Sequence, residues 1–196
     1  SIDSGWMTDR QEQSEESGMP ILIIKDKNQG VVFARVVPAK GNNAYAISKL
    51  GRDLKQLGHQ KLIWKSDNEP AILALKESVK REAFANIIPE ESPVGDHQSN
   101  GDIENTVNRI KGQVRTIRLS TEGRYNRKIP LDHQSLPWLI SHAADSITRY
   151  AVGTDGRTPW KRWKGRDFRR TVLEFGECIM FMRLNSVGQD TAKSRW

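Results

Sequence analysis

The sequence predicts an α/β fold built on a sheet of mixed strand direction. Two β-branched segments, Ile21–Ile24 and Val31–Val37, flank the turn sequence DKNQG, which is typical of a hairpin. Beyond the hairpin, short apolar stretches alternate with longer segments whose apolar residues recur every three or four positions, which is typical of helices. Strands that alternate with helices after a hairpin indicate a sheet with both antiparallel and parallel pairs.

We expect three further strands in this sheet and one or two near the end of the chain. The opening residues around Asp3 read as the first strand, so we expect the chain to be a fragment of a longer protein. The polar segment Thr8–Gly18 reads as a loop. The sequence KLIW at 61–64 predicts a strand, and 85–101 predicts a short strand followed by a loop. The segment 171–184 predicts one or two strands.

Four segments have helical periodicity. The first, 42–58, has Asn42 or Asn43 as a cap and Gly58 as its end. Its apolar stripe comprises Ala46, Ile47, Leu50, Leu54 and Leu57. The second, 70–84, has a proline in its first turn, where proline is tolerated. The third, 102–120, has a regular apolar face comprising Ile103, Val107, Ile110, Val114 and Ile117. A basic loop is expected over 120–130.

The fourth helix is predicted within 135–153, with Trp138 anchored in the core. A basic connector that carries tryptophans follows over 154–170. Trp138, Trp160 and Trp163 could stack on nucleic-acid bases. We favour the interpretation that Trp160 and Trp163 pack this connector against the domain, because burying two indole rings removes a large apolar area from water.

Composition limits the possible functions. The chain has 196 residues with 31 basic and 24 acidic side chains, a net charge of +7 and a pI near 9.6. This charge indicates a polyanionic partner or a basic surface without a partner. No apolar run reaches 18 residues and no signal peptide is recognisable, so neither membrane insertion nor secretion is expected. The single cysteine, Cys178, excludes a disulfide within the chain and a Cys-rich zinc site.

Three acidic residues lie in or next to predicted elements: one in a strand, one at the end of a strand and one at the start of a helix. Asp67 follows the strand KLIWKS in the motif SDN, and it could either cap the next helix or bind a metal ion. Asp3 lies in the first strand, with Asp9 as a less favoured substitute in the loop. Glu104 lies in the first turn of the third helix, with 36 residues between it and Asp67. Because strand ends and helix starts converge at one edge of an α/β sheet, the sequence predicts that these acids meet there.

These motifs, in this order, resemble the catalytic core of a retroelement integrase of the ribonuclease-H-like DDE superfamily. The resemblance rests on Asp3, on SDN at 66–68 and on SNGDIE at 99–104. The segment 138–166, with TPWKRWKGR at its end, is similar to the region that follows the core in LTR-retrotransposon polyproteins of the copia and gypsy kind. The resemblance therefore covers nearly all of the chain.

The resemblance implies a ribonuclease-H-like fold with a mixed five-stranded sheet flanked by helices, a C-terminal helical and basic extension, and a terminal strand segment. Residues 1–125 would be the catalytic core, 126–170 the helix and connector packed on it, and 171–196 the start of a C-terminal module or a tail. It also implies an intracellular location, in the nucleus or in a cytoplasmic particle.

The implied chemistry is metal-dependent DNA end processing and strand transfer. Asp3, Asp67 and Glu104 would be both the catalytic residues and the ligands of two Mg²⁺ or Mn²⁺ ions, since clustered carboxylates repel unless cations neutralise them. The expected partners are the DNA ends of the element and the target DNA, and the resemblance also implies assembly with further copies of the chain. Alternatives that the sequence leaves open are an inactive DNA-binding remnant and another ribonuclease-H-like nuclease or transposase.

A polar stripe continues from Glu104 along the third helix at steps of four and three residues. It comprises Asn108, Lys111, Arg115 and Arg118. No acid on the same stripe is expected to balance these cations, so we predict that the stripe binds DNA phosphates. The alternative is an ordinary solvated face.

Overall fold

The computed structural model describes residues 2–7, 19–66, 69–82, 86–91, 101–171 and 173–180, with only the backbone described for 2–7. Ten elements occur in this part of the chain: β1 Ile2–Met7, β2 Met19–Lys25, β3 Val32–Val36, α1 Ala44–Leu57, β4 Lys61–Ser66, α2 Pro70–Glu82, β5 Asn86–Glu91, α3 Gly101–Tyr125, α4 Leu136–Tyr150 and α5 Pro159–Lys164. None of the helices among these residues combines the length and apolar character needed to cross a bilayer.

The strands run in the order β3-β2-β1-β4-β5. The pairs β3–β2 and β2–β1 are antiparallel, whereas β1–β4 and β4–β5 are parallel. The predicted mixed α/β class is therefore confirmed. One register row crosses all the strands through Phe33, Ile24, Ile2, Ser66 and Glu91. This row marks the edge of the sheet at which β4 and β5 end.

Both faces of the sheet are covered by helices, and β2 alternates between them. Leu22 and Ile24 belong to a first core with the apolar stripes of α1 and α2. Ile21 and Ile23 belong to a second core with the apolar stripes of α3 and α4. A strand buried on both faces reads as a continuous apolar run, which accounts for the sequence PILII.

The ends of α1 follow the sequence prediction. Asn43 caps the helix, because its side-chain oxygen accepts a hydrogen bond from the Ala46 N–H at 2.8 Å. Gly58 ends the helix in the left-handed conformation with φ of 81°. Of the two candidate caps, the structure therefore selects Asn43.

Helix α3 is longer than predicted, because it continues through the expected basic loop as far as Tyr125. The side chain of Glu122 stabilises the extra turn. Its Oε1 accepts a hydrogen bond from the Ile129 N–H at 2.8 Å, so the chain after the helix folds back onto it. Asn126 then ends the helix with φ of 48°.

The prediction that Trp138 anchors α4 in the core is wrong. The buried stripe of α4 comprises Leu136, Leu139, Ile140, Ala143, Ala144 and Ile147, and Trp138 falls outside its phase. The Trp138 side chain is 75% exposed. Truncating it therefore removes little buried area, so we expect Trp138→Ala to change the free energy of unfolding little.

The other two tryptophans hold the basic connector, as predicted. Trp163 packs edge-to-face on Phe33 with 6.2 Å between ring centroids, and it contacts the first core. Trp160 packs on Trp163 at 5.8 Å and on Phe168 at 5.0 Å. The connector is thereby attached to β3.

The predicted strand at 171–184 is not formed by residues 173–180. This segment turns at Gly176, which has φ of 78°. Side chains of α3 bind its carbonyl groups, since the Tyr125 hydroxyl donates to the Gly176 oxygen at 2.6 Å and Arg124 donates to the Phe175 oxygen at 3.4 Å. These bonds occupy backbone acceptors that a neighbouring strand would need. Residues 181–184 lie outside the described part of the chain.

Candidate functional site

Two of the predicted acids, Asp3 and Asp67, directly follow residues that are paired where β4 ends. Ile2 of β1 is the parallel partner of Ser66 of β4. Asp3 follows Ile2 directly, and its backbone pairs with Ile23 of β2. Asp67 follows Ser66 in the sequence and, with Asn68, lies outside the described residues.

The first turn of α3 lies beside the register row. Lys25, the last residue of β2, follows Ile24 of the register row, and its Nζ lies 2.5 Å from Oδ1 of Asp102. Helix α3 packs against β1 and β2. Glu104, two residues after Asp102, is therefore carried on a helical turn that an ion pair attaches to the end of β2, next to the register row.

Glu104 is an exposed carboxylate without a partner in the described part of the chain. Asp102 in the same turn is instead paired with Lys25. No group of three His, Cys, Asp or Glu side chains suited to a metal ion occurs among the residues described. Since that part excludes Asp67 and the side chain of Asp3, the triad of Asp3, Asp67 and Glu104 stays a prediction.

The polar stripe of α3 divides into two parts. Asn108 and Arg115 are exposed and Lys111 is half-buried, and none of the three has an ion pair within the described residues. Arg118 instead donates through Nε to Oε1 of Glu122 at 3.0 Å. The prediction that no acid balances the stripe is therefore wrong for Arg118, because Glu122 follows it by one helical turn.

Glu122 is the centre of a small charge network. It is buried, with 7% exposure, and it also binds Lys128 at 3.1 Å. The pKa of Glu122 is lowered, mainly by the hydrogen bond from the Ile129 N–H and further by the Lys128 and Arg118 side chains, against the opposing effect of burial. This network stabilises the end of α3 and the return of the chain after it.

A cavity of about 160 Å³ lies beside the first two turns of α3. Lys25, Thr106, Arg109 and Arg162 contribute to its wall. Arg109 is exposed and has no ion pair in the described chain, unlike Lys25 and Arg162. Sequence reasoning missed Arg109, because it lies off the stripe that begins at Glu104.

Sequence reasoning also missed Lys76 of α2, whose side chain is buried with 2% exposure. Its Nζ donates to Oγ of Ser66 and to the carbonyl oxygen of Glu90, each at 3.1 Å. A signal was present in the sequence: Lys76 falls within the helical stripe formed by Ile72, Leu75 and Val79. A lysine in the apolar phase of a helix points toward the sheet.

Solved structures similar to this chain include retroviral integrases. The catalytic core domain of BIV integrase superposes with a TM-score of 0.52 at 19% identity, covering 84% of this chain and 91% of that chain. The HTLV-2 integrase catalytic core domain, in complex with magnesium in a trimeric form, gives 0.59 at 18% identity, covering 83% and 93%. A chain of the simian T-cell lymphotropic virus intasome gives 0.61 at 16% identity, covering 99% and 64%.

No protein-family model matches this sequence, and no curated protein does. The chain therefore shares the fold of these integrase catalytic core domains. At these identities the likeness concerns the fold alone, so the chemistry of this chain has to be argued from its own residues.

Proposed function

We propose that this chain is the catalytic core of an integrase that joins DNA ends to target DNA by phosphodiester displacement. We further propose that this integrase is encoded by an LTR-retrotransposon of the copia or gypsy kind. The segment TPWKRWKGR at 158–166 supports this assignment. DNA is the proposed partner, and self-association is proposed by analogy with the trimeric form of the HTLV-2 core.

The observation that supports this function most is the convergence at the edge of the sheet. Ile2 and Ser66, which precede Asp3 and Asp67 in the sequence, are parallel partners across the register row. The ion pair between Lys25 and Asp102 attaches the first turn of α3, which contains Glu104, to the end of β2, one residue from this row. Active sites of α/β proteins commonly form where strand ends and helix starts meet.

The donor set fits divalent cations that prefer oxygen ligands. Asp3, Asp67 and Glu104 would hold two Mg²⁺ or Mn²⁺ ions, and Glu104 is an exposed carboxylate that no cation of the described chain neutralises. When bound, such ions lower the pKa of an attacking oxygen and stabilise the charge on the leaving oxygen. Attack by water trims a DNA end, and attack by a 3′-hydroxyl joins that end to target DNA.

Basic residues of α3 would hold the DNA backbone beside the carboxylates. Lys111 and Arg115 continue the stripe from Glu104, and Arg109 lines the adjacent cavity. Their charges lack ion-pair partners in the described chain, so phosphates would not have to compete with an acid for them. Contacts of this kind position DNA without reading its sequence.

The test is a strand-transfer assay with a fluorescent duplex oligonucleotide bearing a recessed 3′-hydroxyl and a supercoiled plasmid as target. The protein should join the two in Mg²⁺ or Mn²⁺ but not in EDTA. Asp67→Asn should abolish joining, because it removes a proposed metal ligand, and should leave binding to the duplex unchanged within about twofold.

Two results would overturn the proposal. Joining that survives in EDTA or in Asp67→Asn would exclude the assigned carboxylate chemistry. Binding of DNA with no joining under any metal condition would instead favour the inactive DNA-binding remnant.

A further inference from the structure

Lys76 places a cation in the interior between α2 and the ends of β4 and β5. Its side chain is 2% exposed, and its neighbours in the stripe of α2, Ile72, Leu75 and Val79, belong to the first core. Its Nζ donates to Oγ of Ser66 at 3.1 Å and to the carbonyl oxygen of Glu90 at 3.1 Å. Lys76 thereby joins three elements at one point.

Such a residue is costly for packing alone. Removing an ammonium group from water carries a penalty of several kcal/mol, and apolar residues of similar volume often serve a core equally well or better. The position of the cation is therefore informative. Ser66 belongs to the register row and directly precedes Asp67, while Glu90 precedes Glu91, the partner of Ser66 in β5.

We propose that Lys76 is a positioning residue for the carboxylate site at the end of β4. Its N–H groups hold the Ser66 hydroxyl and the β5 backbone in fixed relation, and Ser66 directly precedes the proposed metal ligand Asp67 in the sequence. An ammonium group has three donors, which suits it to several acceptors at once. This inference rests on the proposed function, since it assumes that the strand end carries a metal ligand.

The expected size of the effect follows from other metal sites. Residues that orient metal ligands from outside the coordination sphere commonly change affinity by about 10–100-fold when they are replaced. Lys76→Met keeps the length of the side chain and removes its charge and donors. Ser66→Ala removes one acceptor and leaves Lys76 in place. Lys80, one turn later on α2 and exposed, supplies the matched control Lys80→Met.

The experiment is calorimetric titration of the folded chain with MgCl₂ and MnCl₂ at fixed pH, without DNA. Lys76→Met should weaken metal binding about tenfold or more, Ser66→Ala by several-fold, and Lys80→Met not at all. The double variant of Lys76 and Ser66 should bind metal no more weakly than Lys76→Met alone, because both changes break one interaction. Thermal unfolding without metal should show Lys76→Met less stable than the parent chain but still cooperatively folded, because Ser66 and Glu90 lose the donor that they share.

Several results would overturn the inference. Unchanged metal affinity in Lys76→Met, or an equal loss in Lys80→Met, would leave Lys76 with a packing role only. If Lys76→Met fails to fold, Ser66→Ala decides: unchanged affinity overturns the positioning role, and several-fold weaker binding supports it.

Asp67→Asn separates this inference from the proposed function. If Asp67→Asn binds metal as the parent chain does, the proposed metal site itself is wrong. If Asp67→Asn loses the metal while Lys76→Met retains it, only the role of Lys76 fails.

Discussion

The two halves of α3 carry charge in different ways. Between Glu104 and Arg115, the acid and the basic residues Arg109, Lys111 and Arg115 have no ion-pair partner in the described chain. Between Arg118 and the end of the helix, the buried Glu122 gathers Arg118, Lys128 and the Ile129 N–H. Acidic and basic residues of one helix therefore remain available to a ligand in the first half, whereas in the second half they stabilise the fold.

This difference between the two halves of α3 indicates which half binds a ligand. A charge that already has a buried partner contributes to stability, and a polyanion would have to compete with that partner for it. A charge without a partner keeps its full attraction for an external ion or phosphate. We therefore expect changes in the first half of α3 to alter activity and DNA binding, and changes in the second half to alter stability.

The largest expected effect is that of Glu104→Gln compared with Glu122→Gln, the same change on the same helix. Glu104→Gln should reduce metal-dependent strand transfer by more than about 100-fold, beyond what loss of an outer positioning residue usually costs. Its free energy of unfolding should change by less than about 0.5 kcal/mol, since Glu104 is exposed and has no ion pair with the residues that the structure describes. Strand-transfer rates and denaturant unfolding measure the two quantities. Near-normal activity in Glu104→Gln would remove the distinction between the two halves.

Glu122→Gln should reverse that pattern. At pH 7 it should lower the free energy of unfolding by about 1–2 kcal/mol, because charge-assisted hydrogen bonds become neutral ones. The pKa of Glu122 is lowered below the ordinary value of 4.5, so its ionised form contributes stability that is fully present above that value. As the pH falls through the folded pKa, that contribution is lost.

The gap in stability between the parent chain and Glu122→Gln should therefore shrink as the pH is lowered from about 5 toward 3. Urea unfolding at a series of pH values measures it. A gap that stays constant over this range would mean that the charge of Glu122 contributes nothing to stability.

The smallest expected effect concerns the cations. Lys111→Ala with Arg115→Ala should weaken binding to duplex DNA of any sequence by several-fold. It should also flatten the dependence of log K on log salt concentration by roughly 0.9 for each lost phosphate contact. Arg118→Ala is the control: it should leave the salt slope unchanged, because Arg118 is engaged by Glu122. Fluorescence anisotropy over a range of NaCl concentrations checks both, and an unchanged slope in the double variant would mean that the stripe is only a solvated face.

Local features of the fold could be predicted from the sequence because they depend on neighbouring residues. The hairpin, the Asn43 cap, the Gly58 end and the apolar face of α3 all follow from turn chemistry and from periodicity over a few residues. The order of SDN, SNGDIE and TPWKRWKGR indicated the integrase-like fold before any comparison with solved structures.

Only the tertiary structure determined which side chains are buried and which charged groups are paired. Trp138 is large and apolar and yet exposed, because the stripe that fits the second core lies on another side of α4. Arg118 is paired because α3 continues one turn further than its polar sequence indicates, and Lys76 is buried because the ends of β4 and β5 offer it acceptors. Burial and pairing depend on partners that are distant in the chain, so local patterns determine the elements of this protein, and their packing determines which charges remain free to act.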